Sequence, residues 1–223
     1  MTSRALTIET ARGTVSALLD MPERTPSFVY VMAHGAGAGM RHAFLHAVAA
    51  GLVARGAGCL RYQFPYMEAG KSRVDPPDVA VDTVNRAVAT AAALVAGAPL
   101  VAGGKSFGGR MTSEAQSRAP MAGVRGLAFL GFPLHPPGNP GLGRAEHLKA
   151  VHVPMLFLQG TRDEFARLDL LQPLVASLGD SAKLVLTADG DHSFNVRRKL
   201  SGHTNAEVLD QLLDTLVFWS VAL

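Results

Sequence analysis

The order of apolar segments in this 223-residue chain predicts an α/β fold: a mostly parallel central sheet with an N-terminal antiparallel hairpin and helices on both faces. Three observations carry that prediction. Strand-like and helix-like patterns alternate along most of the chain. The strand-like runs are apolar on both faces, as covered parallel strands are. The opening segment instead alternates apolar and polar residues about Arg12-Gly13, which reads as two antiparallel strands joined by a tight turn.

Taken in order, "RALTIETARGTVSALLDMP" is the hairpin and "SFVYVMAHGAGAG" a central strand running into glycines. "HAFLHAVAAGLVARG" has helical spacing and closes at Gly56; "AGCLRYQFP" is a strand stopped by Pro65. "PDVAVDTVNRAVATAAALVAG" is a long helix, "APLVAGG" a short strand, and "SFGGRMTSEAQSRAP" a helix ended by Pro120. "GVRGLAFLGFPL" is a strand leading into the Pro/Gly loop "HPPGNPGLG". "VPMLFLQG", "LDLLQPLVASLG", "AKLVLTADG" and "NAEVLDQLLDTLVFWSVAL" then read as strand, helix, strand and helix. No linker, repeat or low-complexity segment interrupts residues 1–223, so one domain is expected.

Composition narrows the functional classes. Hydrophobic residues make up 48% and charged residues 17%, the balance of a folded globule. The net charge is only +3, and no basic stripe interleaved with aromatics is present, which argues against nucleic acid as a partner. The basic run Arg197, Arg198, Lys199 reads as a solvated helix face. The single cysteine, Cys59, lies in an apolar strand pattern and is expected to be an inert core thiol. No signal-peptide pattern and no bilayer-length apolar run is visible, so a cytoplasmic protein without a membrane partner is expected.

One short stretch carries the chemistry. In "VAGGKSFGGR", "GGKS" resembles the end of a phosphate-binding loop centred on Lys105, while Gly104-Lys105-Ser106-Phe107-Gly108 matches the turn that presents a nucleophilic serine. The phosphate loop requires glycine where Pro99 stands, and several residues of loop that the strand leaves no room for. The serine turn instead requires a strand before it and a helix after it, and both are expected here. Lys105 then becomes a surface side chain, or one supporting the site from behind.

A serine nucleophile needs a base, and the base needs an orienting carboxylate. Asp163 follows the strand "MLFLQG", and His192 follows the last strand, in the order Ser, Asp, His that such a sheet requires. Loops at the carboxyl ends of parallel strands share one edge, so the three can converge. Glu164 is the competing acid; Asp163 is preferred because it directly follows the Gly-Thr-Arg turn. Asp189 and Asp191 flank His192 too closely to orient its ring. His34 precedes Ser106 in the chain and is expected to hold a loop. Oxyanion donors are expected at the backbone N–H of Phe107 and in "HGAGAG", with Ala36 the first choice and Gly37 the second. Phe64, Tyr66, Phe132 and His135, all at strand ends, are expected either to line the substrate pocket or to be ordinary core and loop residues.

With these parts placed, the chain resembles the α/β-hydrolase family over nearly its whole length, most of all its small, lidless dienelactone-hydrolase-like branch. The stretches "AHGAGAGM", "RYQFPYMEAGKSRVDPP", "GGKSFGGRM", "GFPLHPPGNPG" and "PMLFLQGTRDEF" are similar to the group containing subunit three of the histone-acetyltransferase-associated NSL complex, the testis-expressed hydrolase-like protein and short bacterial relatives. The resemblance implies the same nucleophile, acid and base. It also admits a second reading, since some members serve as subunits of complexes. The dienelactone hydrolases use a cysteine where Ser106 stands, so their substrate does not carry over. No insertion after the sixth strand is long enough for a lid. Two functions are therefore expected to compete: a serine hydrolase of small acyl compounds, needing neither metal nor cofactor, and an interaction module on the same scaffold. A nucleotide-binding protein is a distant third.

Overall fold

A computed structural model describes residues 2–223. Its centre is an eight-stranded sheet: β1 (Thr2–Thr10), β2 (Gly13–Met21), β3 (Val29–Ala33), β4 (Gly58–Tyr62), β5 (Leu100–Lys105), β6 (Val124–Leu130), β7 (Met155–Gly160) and β8 (Ala182–Thr187). The spatial order is β1-β2-β4-β3-β5-β6-β7-β8. The hairpin β1–β2 is antiparallel and joins β4 antiparallel; every pair from β4 to β8 is parallel.

The helices are α1 (Ala43–Ala54), α2 (Pro65–Glu68), α3 (Pro77–Leu94), α4 (Phe107–Arg118), α5 (Leu168–Ser177), α6 (Arg198–Ser201) and α7 (Asn205–Val221). Four short turns escaped the sequence pattern: α2, α6 and 3₁₀ turns at Glu146–Ala150 and Gly179–Ser181. Each is too brief to show a helical period. Pro65, expected only to stop a strand, also opens α2, where its missing N–H costs nothing.

The period of two along each strand divides the core between two faces. Val29, Val31 and Ala33 of β3 face the layer that holds α3, α4 and α5. Tyr30 and Met32 of the same strand pack with α1 and α7. The inner strands repeat this division: Phe129 and Phe157 face one way, Leu130 and Leu158 the other. Cys59 points into the α1/α7 layer, fully buried, where desolvation pushes its thiol pKa up. That is the inert core thiol the sequence suggested.

Two buried polar groups break the apolar pattern and tie the hairpin to the parallel sheet. Arg61 of β4 donates from Nε and Nη2 to Asp20 Oδ2 of β2, at 3.0 and 2.7 Å. Its Nη1 donates to the carbonyl of Met40, 3.1 Å away, in the loop that follows β3.

That loop, residues 34–42, is held almost entirely by the stretch after β4. Gln63 Oε1 accepts from Met40 N at 2.7 Å, and Tyr66 Oη accepts from Gly37 N at 3.1 Å. His34 Nε2 accepts from Phe64 N at 3.1 Å, so its proton sits on Nδ1 and is given to the Gly35 carbonyl, 2.8 Å away. His34 thus takes the loop-holding role expected of it. Burial draws its pKa down to about 4. "RYQFPY" is in effect a clamp on "HGAGAGM".

Two outcomes follow. Arg61→Met strands a buried carboxylate and is expected to cost about 3–5 kcal/mol, with Asp20→Leu/Arg61→Met recovering most of it; urea unfolding midpoints measure both. His34 must stay neutral to accept from Phe64. The unfolded chain takes up that proton below about pH 6.5, whereas the folded chain does so only near pH 4. Stability from this group is therefore present above pH 6.5 and lost as pH falls toward 4, by up to about 1.4 kcal/mol per pH unit. Urea titrations across this range should show the decline shrink in His34→Gln.

Candidate active site

The chain leaves β5 and enters α4 with no intervening loop, and Ser106 takes the whole turn. Its backbone sits at φ 50, ψ −118, a strained conformation for a residue with a side chain. Two glycines permit the turn. A Cβ on Gly104 would lie 2.1 Å from the Ala33 carbonyl oxygen, and one on Gly108 would lie 2.6 Å from both Ala33 Cβ and the His34 carbonyl oxygen. Only bare backbone lets β3, β5 and α4 approach this closely. The turn is further pinned by Ser106 N donating to Leu130 O at 3.3 Å.

The same sheet edge brings in His192 and Asp163. Asp163 stands just past β7, and His192 lies in the connection from β8 to α7. His192 Nε2 is 2.8 Å from Ser106 Oγ, and His192 Nδ1 is 2.7 Å from Asp163 Oδ2. Both contacts are satisfied by one tautomer: Nδ1–H donates to the carboxylate and Nε2 accepts from the serine hydroxyl. The Asp163 side chain is fully buried, and Glu164, its rival, is exposed. Asp189 and Asp191 turn elsewhere: Asp189 pairs with Arg197 and Arg162, and Asp191 Oδ1 accepts from Ser193 N and Asn195 N. Arg197, expected on a solvated helix face, therefore anchors this connection.

Gln159, Phe165 and Phe44 add parts that the sequence pattern does not single out, and Lys105 takes the second of its two expected places, supporting the site from behind. Gln159 Nε2 donates to Asp163 Oδ2 at 2.5 Å, while its Oε1 accepts from Phe132 N at 2.8 Å. Phe165 N donates to Asp163 Oδ1 at 2.8 Å, and its ring lies over His192 with centroids 4.3 Å apart. Lys105 is buried, with Nζ donating to the His192 carbonyl at 2.5 Å. Phe44 stacks on Phe194, whose ring is buried beneath the His192 loop. Gln159 had a signal in the sequence, as the one polar residue of an otherwise apolar strand; Phe165 and Phe44 had none.

A cavity of about 290 Å³ opens beside Ser106 and His192. Its walls come from Gly35, Ala36 and Ala38, the start of α1 (His42, Phe44, Leu45), Phe165 and Ser193. Larger surface grooves, of about 480 and about 680 Å³, lie beside α5 and along α7, without a comparable serine–histidine pair. Among the described residues, the N–H groups of Ala36 and Phe107 donate no hydrogen bond, whereas that of Gly37 is taken by Tyr66. The amide of Gly37, the second choice as oxyanion donor, is thus already occupied.

The remaining strand-end residues divide toward the bland expectation. Phe64 and Phe132 are fully buried in the core, and none of Phe64, Tyr66, Phe132 and His135 lines the cavity. Tyr66 serves as the clamp already described. His135 accepts from Arg167 N at Nε2 (3.1 Å) and faces its neighbour's carbonyl with Nδ1, the arrangement also found at His34.

A second serine and histidine also meet. Ser113 Oγ lies 2.7 Å from His147 Nε2, and His147 Nδ1 lies 3.3 Å from Glu114. Ser113 is fully buried within α4, and its hydroxyl donates to the Arg110 carbonyl at 2.9 Å. With that proton spent, and no strained turn to present the oxygen, the trio lacks the geometry for attack. It ties the Glu146–Ala150 turn to α4. Among the described residues no group of three or more His, Cys, Asp or Glu could hold a metal ion, and no helix is long and apolar enough to cross a membrane.

Comparison with known proteins agrees with this architecture. An a/b serine hydrolase without a lid from Xanthomonas campestris aligns over 99% of this chain and 96% of its own, at TM-score 0.73 and 20% identity. A dienelactone hydrolase from Anabaena variabilis aligns over 97% of each chain, at TM-score 0.75 and 16% identity. The esterase domain of a Rhodothermus marinus protein aligns over 100% of this chain and 99% of its own, at TM-score 0.75 and 17% identity. At such identities the likeness concerns the fold. The sequence itself matches the family described as alpha/beta hydrolase domain over residues 26–220, so a sheet of this order, a serine at the turn after β5 and an imidazole beyond β8 have one source: the chain belongs to the alpha/beta hydrolase family.

Proposed function

We propose that this protein is a serine hydrolase, acting as one domain across residues 1–223, that cleaves small ester or other acyl compounds through an acyl-enzyme. A single observation carries the reading: one imidazole, that of His192, reaches both the Ser106 hydroxyl (2.8 Å) and the buried Asp163 carboxylate (2.7 Å). The strained turn that presents Ser106 and the cavity beside it support the same reading.

In the proposed reaction Ser106 Oγ attacks the acyl carbon as its proton passes to His192 Nε2. Asp163, held by Gln159 and the Phe165 amide, keeps the ring oriented and offsets the imidazolium charge. The oxyanion is taken by the N–H groups of Ala36 and Phe107, neither of which donates a hydrogen bond among the described residues. As the tetrahedral species collapses, the bond to the leaving group breaks and Nε2–H protonates it. Water then attacks the acyl-serine, with His192 again the base, and releases a carboxylic acid. No metal or cofactor enters. The small cavity, with no lid insertion over it, suits compact acyl groups. Within the family we assign the chain to the group with subunit three of the NSL complex, on the strength of "FPLHPPG" and "RYQFPYMEAGK".

Fluorophosphonate labelling tests the nucleophile. Wild type is expected to form one adduct, absent in Ser106→Ala, and retained in Ser113→Ala. Turnover of p-nitrophenyl acetate should fall on the order of 10³-fold or more in Ser106→Ala and His192→Ala. A folded wild type with neither adduct nor turnover would instead favour an interaction module built on the same scaffold.

A further inference from the structure

We propose that Lys105 is a positioning residue for the reaction inferred above, gripping the main-chain carbonyl of His192 and so fixing the base against the serine that follows Lys105 in the chain. The proposal rests on the reading of Ser106 and His192 as nucleophile and base.

Lys105 Nζ donates to His192 O at 2.5 Å, and the residue is only 8% exposed. Its surroundings are shaped for it. A Cβ on Gly35 would touch its Cγ at 3.4 Å, and a Cβ on Gly131 would crowd Nζ at 2.9 Å. The Phe194 ring lies below the ammonium, 5.7 Å from Nζ to the ring centroid. Burying an ammonium is expensive, and an apolar residue would fill the same space at lower cost. What the charge adds is a strong, directed hydrogen bond to one particular carbonyl.

The geometry of that bond is unusual in what it closes. Lys105 and Ser106 are adjacent residues at the end of β5. The lysine side chain reaches the backbone of His192, and the imidazole of His192 returns to the Ser106 hydroxyl. Nucleophile and base therefore sit in one small closed circuit with two points of attachment. The connection that bears His192, residues 188–197, contains neither helix nor strand, and its other anchors attach at Asp189, Gly190 and Asp191 rather than at His192 itself. Displacements of about 1 Å in a reacting pair are enough to cost on the order of 100-fold in rate.

The groups facing the ammonium are His192, Asp163 and Asp191. Burial draws its pKa down to about 8, against the opposing pull of Asp163 and then Asp191. The grip is thus mostly charged at neutral pH and loses its charge as pH rises through about 8.

The test compares wild type, Lys105→Met and Lys105→Arg as full chains. Thermal melting controls for folding, p-nitrophenyl acetate reports turnover, and the low-field proton of His192 Nδ1–H is followed by NMR. Lys105→Met is expected to melt cooperatively, with kcat lowered on the order of 10- to 100-fold and KM moved less than about twofold. The wild-type decline in kcat above about pH 8 should vanish in Lys105→Met. Lys105→Arg should recover part of kcat without that decline, because guanidinium stays charged. The low-field proton should broaden or disappear in Lys105→Met alone. A folded Lys105→Met with wild-type kcat, pH profile and low-field signal overturns the proposal. Should Lys105→Met fail to fold, an unchanged alkaline decline in Lys105→Arg overturns it. Should wild type show no Ser106-dependent turnover, the hydrolase reading fails, and the low-field proton decides the role of Lys105 by itself.

Discussion

Everything at the site depends on the closeness with which three backbones meet at Ser106. The strand β5 cannot pass directly into α4 unless β3 lies almost in van der Waals contact with both, and this requires residues 104 and 108 to have no side chains. The resulting conformation of Ser106 is unfavourable by itself, on the order of 1–3 kcal/mol. It persists because β5 is paired on both sides and α4 is packed into the core, so the turn has no freedom to relax. The placing of the hydroxyl at the sheet edge is a by-product of packing, and the packing would remain if the serine were never used.

The other parts are arranged around that fixed point by hydrogen bonds that run across the sheet edge. The β4–α2 segment holds the loop with the free Ala36 amide. Gln159 and the Phe165 amide hold Asp163. Asp189, with Arg197 and Arg162, folds back the connection that bears His192. Each of these supports uses a polar group inside or just beyond an otherwise apolar strand. Arg61, Gln159 and Asp20 are fully or almost fully buried, and each is matched to a partner that a shift of one residue in register would remove.

Those details also explain how much was legible in the sequence. Strand order along the chain, the hairpin and the long helices could be read because their periods extend over enough residues to be counted. Ser106, Asp163 and His192 could be placed because each follows a strand, and parallel strands end on one side. Gln159, Asp20 and Arg61 left a trace, as lone polar residues in apolar runs, but a trace that names no partner. Phe64 and Phe132 show the limit from the other side: a position at a strand end does not tell whether a ring faces the opening or the core. The partner of Lys105 was hidden for a similar reason, although a supporting place behind the site was one of its two expectations. That partner is a main-chain oxygen 87 residues away, and every residue has one of those.

The two halves of the site differ in how firmly they belong to the fold. Ser106 terminates a strand at the middle of the sheet, which can be freed only when the whole domain opens. His192 belongs to a connection beyond an edge strand whose residues are mostly only half-covered. Segments of this kind open locally, at a free-energy cost far below that of global unfolding. Heat or denaturant would then act on the protein in two stages, unseating the imidazole first and melting the sheet later. For such a molecule, loss of the Ser106–His192 contact and loss of structure are separate clocks, and slow amide exchange at β5 would say nothing about the first.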